Sequence, residues 1–168
     1  MMQMSGSSSF VPDPGNGRLL RDAFGRFATG VTVVTAMAPE GCVAITANSF
    51  SSVSMEPPLV LWSPARASAR YPAFAEARHF AIHVLAEDQA NLAWSVARNR
   101  DALGDLTGRN AEGVPVLDHC LARFDCARFA LHEAGDHAIV VGRVLRATLA
   151  EGQPLAFFGG QIAQVKIN

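Results

Sequence analysis

The chain has 168 residues, 49% hydrophobic and 17% charged, with a formal net charge of -1. This composition supports one globular domain with a substantial core and excludes the basic face that nucleic-acid binding requires. No apolar run reaches the ~20 residues of a membrane-spanning helix.

Residues 1–17, MMQMSGSSSFVPDPGNG, are rich in Ser, Gly and Pro. They cannot bury enough surface to offset ordering and are expected to form a flexible tail before a single domain over 18–168. Residues 18–28 place Leu20, Phe24 and Phe27 on one helical face, a short amphipathic helix weakened by Gly25. Residues 29–37, TGVTVVTAM, are β-branched and read as a strand. Pro39-Glu40-Gly41 turns the chain, and Cys42 to Ala47 return as a hairpin partner. From Thr46 the chain becomes a run of neutral hydroxyl and amide side chains (TANSFSSVS) that reads as a loop. Residues 59–63 give a third strand. Residues 64–78 are Ala-rich and predict a helix interrupted by Pro72.

Residues 79–85, HFAIHVL, alternate as a fourth strand, with His83 lining a sheet face. Residues 87–100 predict a helix with Leu92, Ala93 and Val96 inward. A loop over 101–115 follows. Residues 120–133 form a long strand with a bulge or bend, Ala134-Gly135-Asp136 a turn, and 137–149 another long strand. A final strand pair surrounds Gly159-Gly160. Adjacent hairpins without regular βαβ alternation predict a mainly β protein, an antiparallel barrel with peripheral helices.

Several chemistries are excluded by spacing. Gly25 to Thr32, GRFATGVT, has the glycine spacing of a phosphate loop, but Val31 stands in the place of the required Lys. The segment also precedes a strand rather than following one. No G-x-G-x-x-G, H-E-x-x-H or G-x-S-x-G occurs. Cys42, Cys120 and Cys126 are odd in number and form no CxxC, so buried thiols are expected rather than a disulfide framework or a zinc site. The N-terminus lacks the charged-then-apolar order of a secretory signal. Together these features predict a soluble cytoplasmic protein with no metal, no nucleic acid and no membrane partner.

Seven motifs occur in order: GRFATGVTVVT, TANSFSSVSMEPPLVL, SPARAS, HFAIHVLAEDQ, PVLD, AGDHAIVVGRV and PLAFFGG. The series resembles the short-chain flavin reductases, NAD(P)H-dependent enzymes that supply reduced flavin to two-component monooxygenases. It covers nearly all of residues 18–162, and the order of the motifs is more specific than any one of them. The resemblance implies a split β-barrel binding FMN or FAD, with NADH or NADPH as co-substrate. A homodimer and a partner flavin-dependent monooxygenase are implied with it.

It also implies the site. Ala47, Asn48, Ser49, Ser52, Val53 and Ser54, with Thr32 beside them, would hold the flavin ring edge and ribityl chain. Composition alone would make this run a serine-rich surface loop. Ser63, Arg66 and Ser68 correspond to the family's phosphate contacts, and hydroxyls, a cation and free N–H groups suit an anion. Arg70 is equally a phosphate ligand or a solvated helix residue. His137, in the family's Gly-Asp-His, would orient the nicotinamide without acid–base work, while Asp136 serves the turn. Phe158 would border the flavin or fill the core. Gln161 departs from a basic residue frequent in the family, which leaves NADH against NADPH open. Two other readings stay open: a barrel oxidoreductase with tightly held FMN acting on another acceptor, and a non-enzymatic flavin-binding module.

Overall fold

The computed structural model describes residues 7–104 and 108–166. Twelve strands and three α-helices follow one another among these residues. Helix α1 spans Gly17–Phe24. Strands β1 (Thr29–Gly30), β2 (Thr32–Ala38) and β3 (Gly41–Ala47) come next. The β2–β3 hairpin closes through Pro39-Glu40, with Ala38 opposite Gly41. β4 (Ser51–Met55), β5 (Pro58–Trp62) and α2 (Tyr71–Glu76) lead to β6 (His79–Val84) and α3 (Ala90–Arg98). Short β7 (Gly108–Arg109) and β8 (Pro115–Val116) pair with each other. The long β9 (Ala122–Ala134) and β10 (His137–Leu149) precede β11 (Leu155–Phe158) and β12 (Gln161–Gln164).

The main sheet has seven antiparallel strands in the order β3-β2-β6-β9-β10-β5-β4. A three-stranded sheet, β1-β11-β12, lies apart from it. The mainly β, antiparallel barrel expectation holds. β9 and β10 shift register twice, leaving Phe129 and Leu145 without cross-strand partners. These are the anticipated bulges, and they bend the ribbon so that it can join both halves of the sheet.

Among the described residues, strand alternation builds two large apolar cores and a small third cluster of Ala81, Val114 and Val116. Val34, Val43, Trp62, Phe74, Phe80, Ile82 and Val140 form the first, with Trp62 edge-on to Phe74 at 5.0 Å between ring centroids. Val33, Leu85, Val96, Leu103 and Leu155 form the second, beneath α3. The sheet requires glycine at Gly142: a Cβ there would lie 2.6 Å from the tip of the Phe80 ring. Gly135 enters the β9–β10 turn at φ +66°, the left-handed conformation that a two-residue hairpin loop demands.

Four expectations need correction. The hydroxyl run is a loop only over residues 48–50, because Ser51–Met55 pair with β5 as an edge strand. Pro72 starts α2 rather than interrupting a longer helix, and residues 64–70 are irregular. A proline in the first turn forfeits no intrahelical bond. The presumed inward face of α1 is not buried. Phe24 is 68% exposed and Phe27, beyond the helix, 79%. Of the three thiols only Cys126 is buried, and Cys42 and Cys120 are half-buried. Residues 1–6 of the expected tail lie outside the described residues. Within 11–16, Asp13 Oδ1 accepts from Gly15 N–H at 2.7 Å in a tight turn that leads into α1. Among the described residues no helix is long and apolar enough to cross a membrane.

Candidate functional site

β3 is the end strand of the main sheet, and the polar run begins where it stops. Thr32 Oγ1 donates to Ala47 O at 2.7 Å, tying the last residue of β3 to the buried β2. Thr46 points to the other side and donates to Ala93 O at 2.7 Å, fixing α3 against the strand. Between them lies a cavity of about 180 Å³, walled by Val31, Thr46, Ala47, Asn48, Ala93, Trp94, Ala97, Phe157 and Ile162. No wall residue is ionisable. This volume is below the roughly 300–1,000 Å³ of sites that enclose a whole drug-sized ligand. It has room for one end of a flat ring, with Asn48 offering an amide among otherwise mainly apolar walls.

The second segment is brought in by Ser49. Its Oγ accepts from Ser63 N–H at 2.9 Å, which couples the loop after β3 to the end of β5. Ser68 lies further on, where it lines a larger cavity of about 550 Å³ with Arg70. Arg70 resolves in favour of neither sequence reading alone. Its Nη1 donates to Val96 O at 2.8 Å and its Nη2 to Ala97 O at 3.3 Å, closing the last turn of α3. Burial and the neighbouring Arg100 charge lower its pKa. Arg66 instead reaches Glu133 at 3.5 Å, both side chains well exposed. Ser52 and Val53 lie exposed on β4 with Ser54 half-buried, and the strand slips register between Ser52 and Ser54.

His137 opens β10 at the hairpin tip and joins the same rim through the main chain. It forms an isolated bridge with Ala65. Arg66 N–H donates to Asp136 O at 2.9 Å, and Ala138 N–H to Pro64 O at 3.0 Å. The His137 ring donates from Nδ1 to Asp136 Oδ1 at 2.7 Å. That hydrogen bond, and then the imidazole charge, holds the Asp136 carboxyl below its ordinary range. Thr32, Ala47–Ser49, Ser63, residues 64–66 and His137 are therefore linked by hydrogen bonds or strand pairing around one rim. Phe158 is half-exposed and does not wall the smaller cavity, whereas Phe157 does. Alternation on β11 assigns opposite faces to these two, but the sequence could not say which face met the site.

Thr46, Trp94 and Phe157 were not singled out from sequence. Thr46 stood in the polar run. Trp94 had no signal beyond an aromatic on the polar face of a helix. His83, by contrast, is structural. It is fully buried, its Nδ1–H donates to Val33 O at 2.9 Å, and its Nε2 accepts from Leu117 N–H at 3.2 Å. Burial pushes its pKa down to about 4. Burial, reinforced by Asp125, likewise pushes the Cys126 thiol up to about 12, far from a reactive thiolate.

Residues 24–166 match the flavin reductase like domain. The chain is 56% identical over 160 residues to the FMN reductase (NADH) SmoA of Agrobacterium fabrum, spanning 95% of this chain and 92% of that protein. It is 44% identical over 146 residues to the reductase component of the flavin-dependent trigonelline monooxygenase of Acinetobacter baylyi. That match takes in 85% of this chain but 47% of the relative, so the chain spans about half that protein's length. Among solved structures, the NADH:FAD oxidoreductase SgcE6 of Streptomyces globisporus C-1027 superposes with a TM-score of 0.88 at 32% identity. The overlap covers 97% of this chain and 95% of that one.

Proposed function

This chain belongs to the flavin reductase like family, and we infer that it is an NADH-dependent flavin reductase that delivers reduced flavin to a partner monooxygenase. FMN is the flavin named for SmoA and NADH its reductant. The observation that carries the site assignment is the convergence of three distant segments on one rim. Ser49 holds Ser63 at 2.9 Å, and Ala65 bridges to His137.

The donor set fits a flavin. Neutral hydroxyls and amides meet a ring whose edge is polar but uncharged, and an apolar cavity free of ionisable groups meets its flat end. When bound, the flavin supplies the electron-accepting ring. Ala47, Asn48, Ser49, Ser52, Val53 and Ser54, with Thr32 behind them, hold its edge and ribityl chain. Ser63, Ser68 and Arg66 hold the phosphate. His137, oriented by Asp136, steers the nicotinamide by hydrogen bonding. No side chain need give or take a proton, because positioning alone accounts for the rate gain in hydride transfer. Phe158 lines the outer rim.

The exposed Phe24 on the apolar face of α1, with Phe27 just beyond the helix, supports a homodimer, since exposed apolar patches mark association sites. Free thiols and the use of NADH support a cytoplasmic setting. We also take residues 18–168 as one domain.

The test is NADH oxidation with FMN as acceptor, in the parent and in His137→Ala. The variant is expected to raise the KM for NADH about tenfold while leaving the Kd for FMN unchanged. Parental KM and kcat in the variant would remove His137 from the site. A parent that binds FMN but oxidises no NADH would refute the enzymatic reading.

A further inference from the structure

The arginine assigned to the flavin phosphate already has an anion beside it. Arg66 Nη2 stands 3.5 Å from Glu133 Oε1. That spacing is longer than the roughly 2.7–2.9 Å of a charge-assisted hydrogen bond, so the pair is loose. The backbone beneath it is not. Ala65 O accepts from Ser68 N–H at 3.1 Å, folding residues 65–68 into a turn. Arg66 N–H donates to Asp136 O at 2.9 Å and Ala138 N–H to Pro64 O at 3.0 Å, which fastens that turn to the tip of the β9–β10 hairpin. Glu133 lies opposite Ala138 in the β9–β10 register. The two side chains therefore meet across the start of β10 from positions the main chain sets.

The tip carries a second carboxylate, and the two are not equivalent. Asp136 is engaged by His137 Nδ1 at 2.7 Å, and its pKa is held below the ordinary range by that bond. Glu133 instead faces the arginine of the phosphate segment.

We propose that Glu133 competes with the flavin phosphate for Arg66 and so sets how readily the flavin leaves. The inference rests on the flavin reductase reading, in which Arg66 holds the phosphate and reduced flavin must be handed on. A phosphate monoester carries roughly −1.5 to −2 charge at neutral pH. To take Arg66 it displaces Glu133, and Glu133 regains the guanidinium as the phosphate departs. The contacts to the ring and ribityl chain are untouched by this exchange, so it shortens the stay of the flavin without loosening the ring pocket. The arginine and glutamate side chains are 45% and 80% exposed. A pair so exposed to water is a weak competitor, and it lowers FMN affinity about threefold rather than preventing binding.

The experiment compares the parent with Glu133→Gln, Arg66→Gln and the double variant. FMN and riboflavin are titrated by flavin fluorescence at low ionic strength, where exposed charges are least screened, and FMN dissociation is followed by stopped flow. Glu133→Gln keeps the side-chain length and alters no main-chain contact. It is expected to tighten FMN about threefold through slower dissociation and to leave riboflavin, which lacks the phosphate, unchanged. Arg66→Gln is expected to weaken FMN about tenfold, and in that background Glu133→Gln should gain nothing. Unaltered FMN affinity in Glu133→Gln, while Arg66→Gln shows its loss, would overturn the proposal and leave the phosphate assignment standing. So would a gain shared by riboflavin, or a gain of equal size with and without Arg66, which is general repulsion and not competition. FMN binding indifferent to Arg66→Gln would remove Arg66 from the phosphate, and the proposal with it. A gain that depends on Arg66, in a protein that oxidises no NADH, would keep the competition and refute the reductase reading instead.

Discussion

Acid should unfold this protein through His83. The imidazole is fully buried between β2, β6 and the segment after β8, and both ring nitrogens are occupied. Nδ1 carries the proton given to Val33 O, so Nε2 must be the acceptor for Leu117 N–H. Protonating Nε2 would set one N–H against another in a fully buried site. The charges around it are Arg123, which opposes the cation, and Asp125, which favours it less strongly. The folded pKa therefore falls from 6.5 to about 4. Above the unfolded pKa the group is neutral in both states and contributes nothing to pH dependence. As pH drops below it, the unfolded chain takes a proton that the folded chain refuses, and stability declines until the folded pKa is reached. At about 1.4 kcal/mol per pH unit the full loss is about 3 kcal/mol. This is a large share of the 5–15 kcal/mol of an ordinary domain (roughly).

Urea titrations followed by tryptophan fluorescence, with Trp62 buried as a reporter, measure the loss directly. Carboxylates also titrate in acid, so the decisive comparison is with His83→Gln. Its amide oxygen can still accept from Leu117 but cannot also serve Val33 or acquire charge. The variant should be less stable near neutrality by about 1–3 kcal/mol. Its deficit should shrink steadily between pH 6.5 and about 4, the window set by the two pKa values. Parallel pH profiles for parent and variant across that window would refute the argument.

Gly142→Ala is expected to cost about 1–3 kcal/mol, since the added Cβ meets the Phe80 ring at 2.6 Å and Cys126 Cβ at 3.1 Å with no flexible neighbour to yield. A thermal melt unchanged from the parent would contradict this. Ser49→Ala removes the acceptor for Ser63 N–H. It should lower stability by only about 1 kcal/mol but weaken FMN binding about tenfold by loosening the loop against the phosphate segment, and an unaltered Kd would separate that tether from the flavin site.

The sequence disclosed the architecture where pattern and packing agree. Residues 137–149 read as one strand and β10 has those bounds, because buried and less buried positions alternate through its first half and pairing with β9 carries it on through the exposed second half. The hydroxyl run misled for the opposite reason. Ser51, Ser52 and Ser54 have low strand preference and no clean alternation, and they become β4 only because β5 offers an apolar partner to pair with. The amphipathic signal of α1 was real, but periodicity states that a face needs covering and not by what. His83 reads correctly as a residue of a sheet face, but neither its hydrogen bonds nor those of Arg70 are legible in the sequence. The partners, Val96 and Ala97 for Arg70 and Val33 and Leu117 for His83, are brought near only by the folded sheet.

The position of the site follows from that same sheet. β3 has a neighbour on one side only, so alternate main-chain donors and acceptors along it face away from β2. An open edge invites aggregation unless something covers it. Here α3 is pinned across one face by Thr46, and Arg70 is pinned under the end of α3. What these two contacts leave open is a channel along residues 45–48, apolar at one end and cationic at the other. A nucleotide has that polarity, flat ring at one end and phosphate at the other. The neutral run TANS is therefore suited to its place: a carboxylate at Asn48 would repel the phosphate, and a larger apolar side chain would close the channel. Replacing Asn48 by Leu should accordingly abolish flavin binding while leaving the melting temperature near that of the parent, because Asn48 is exposed. Retained binding in Asn48→Leu would move the ring elsewhere on the rim.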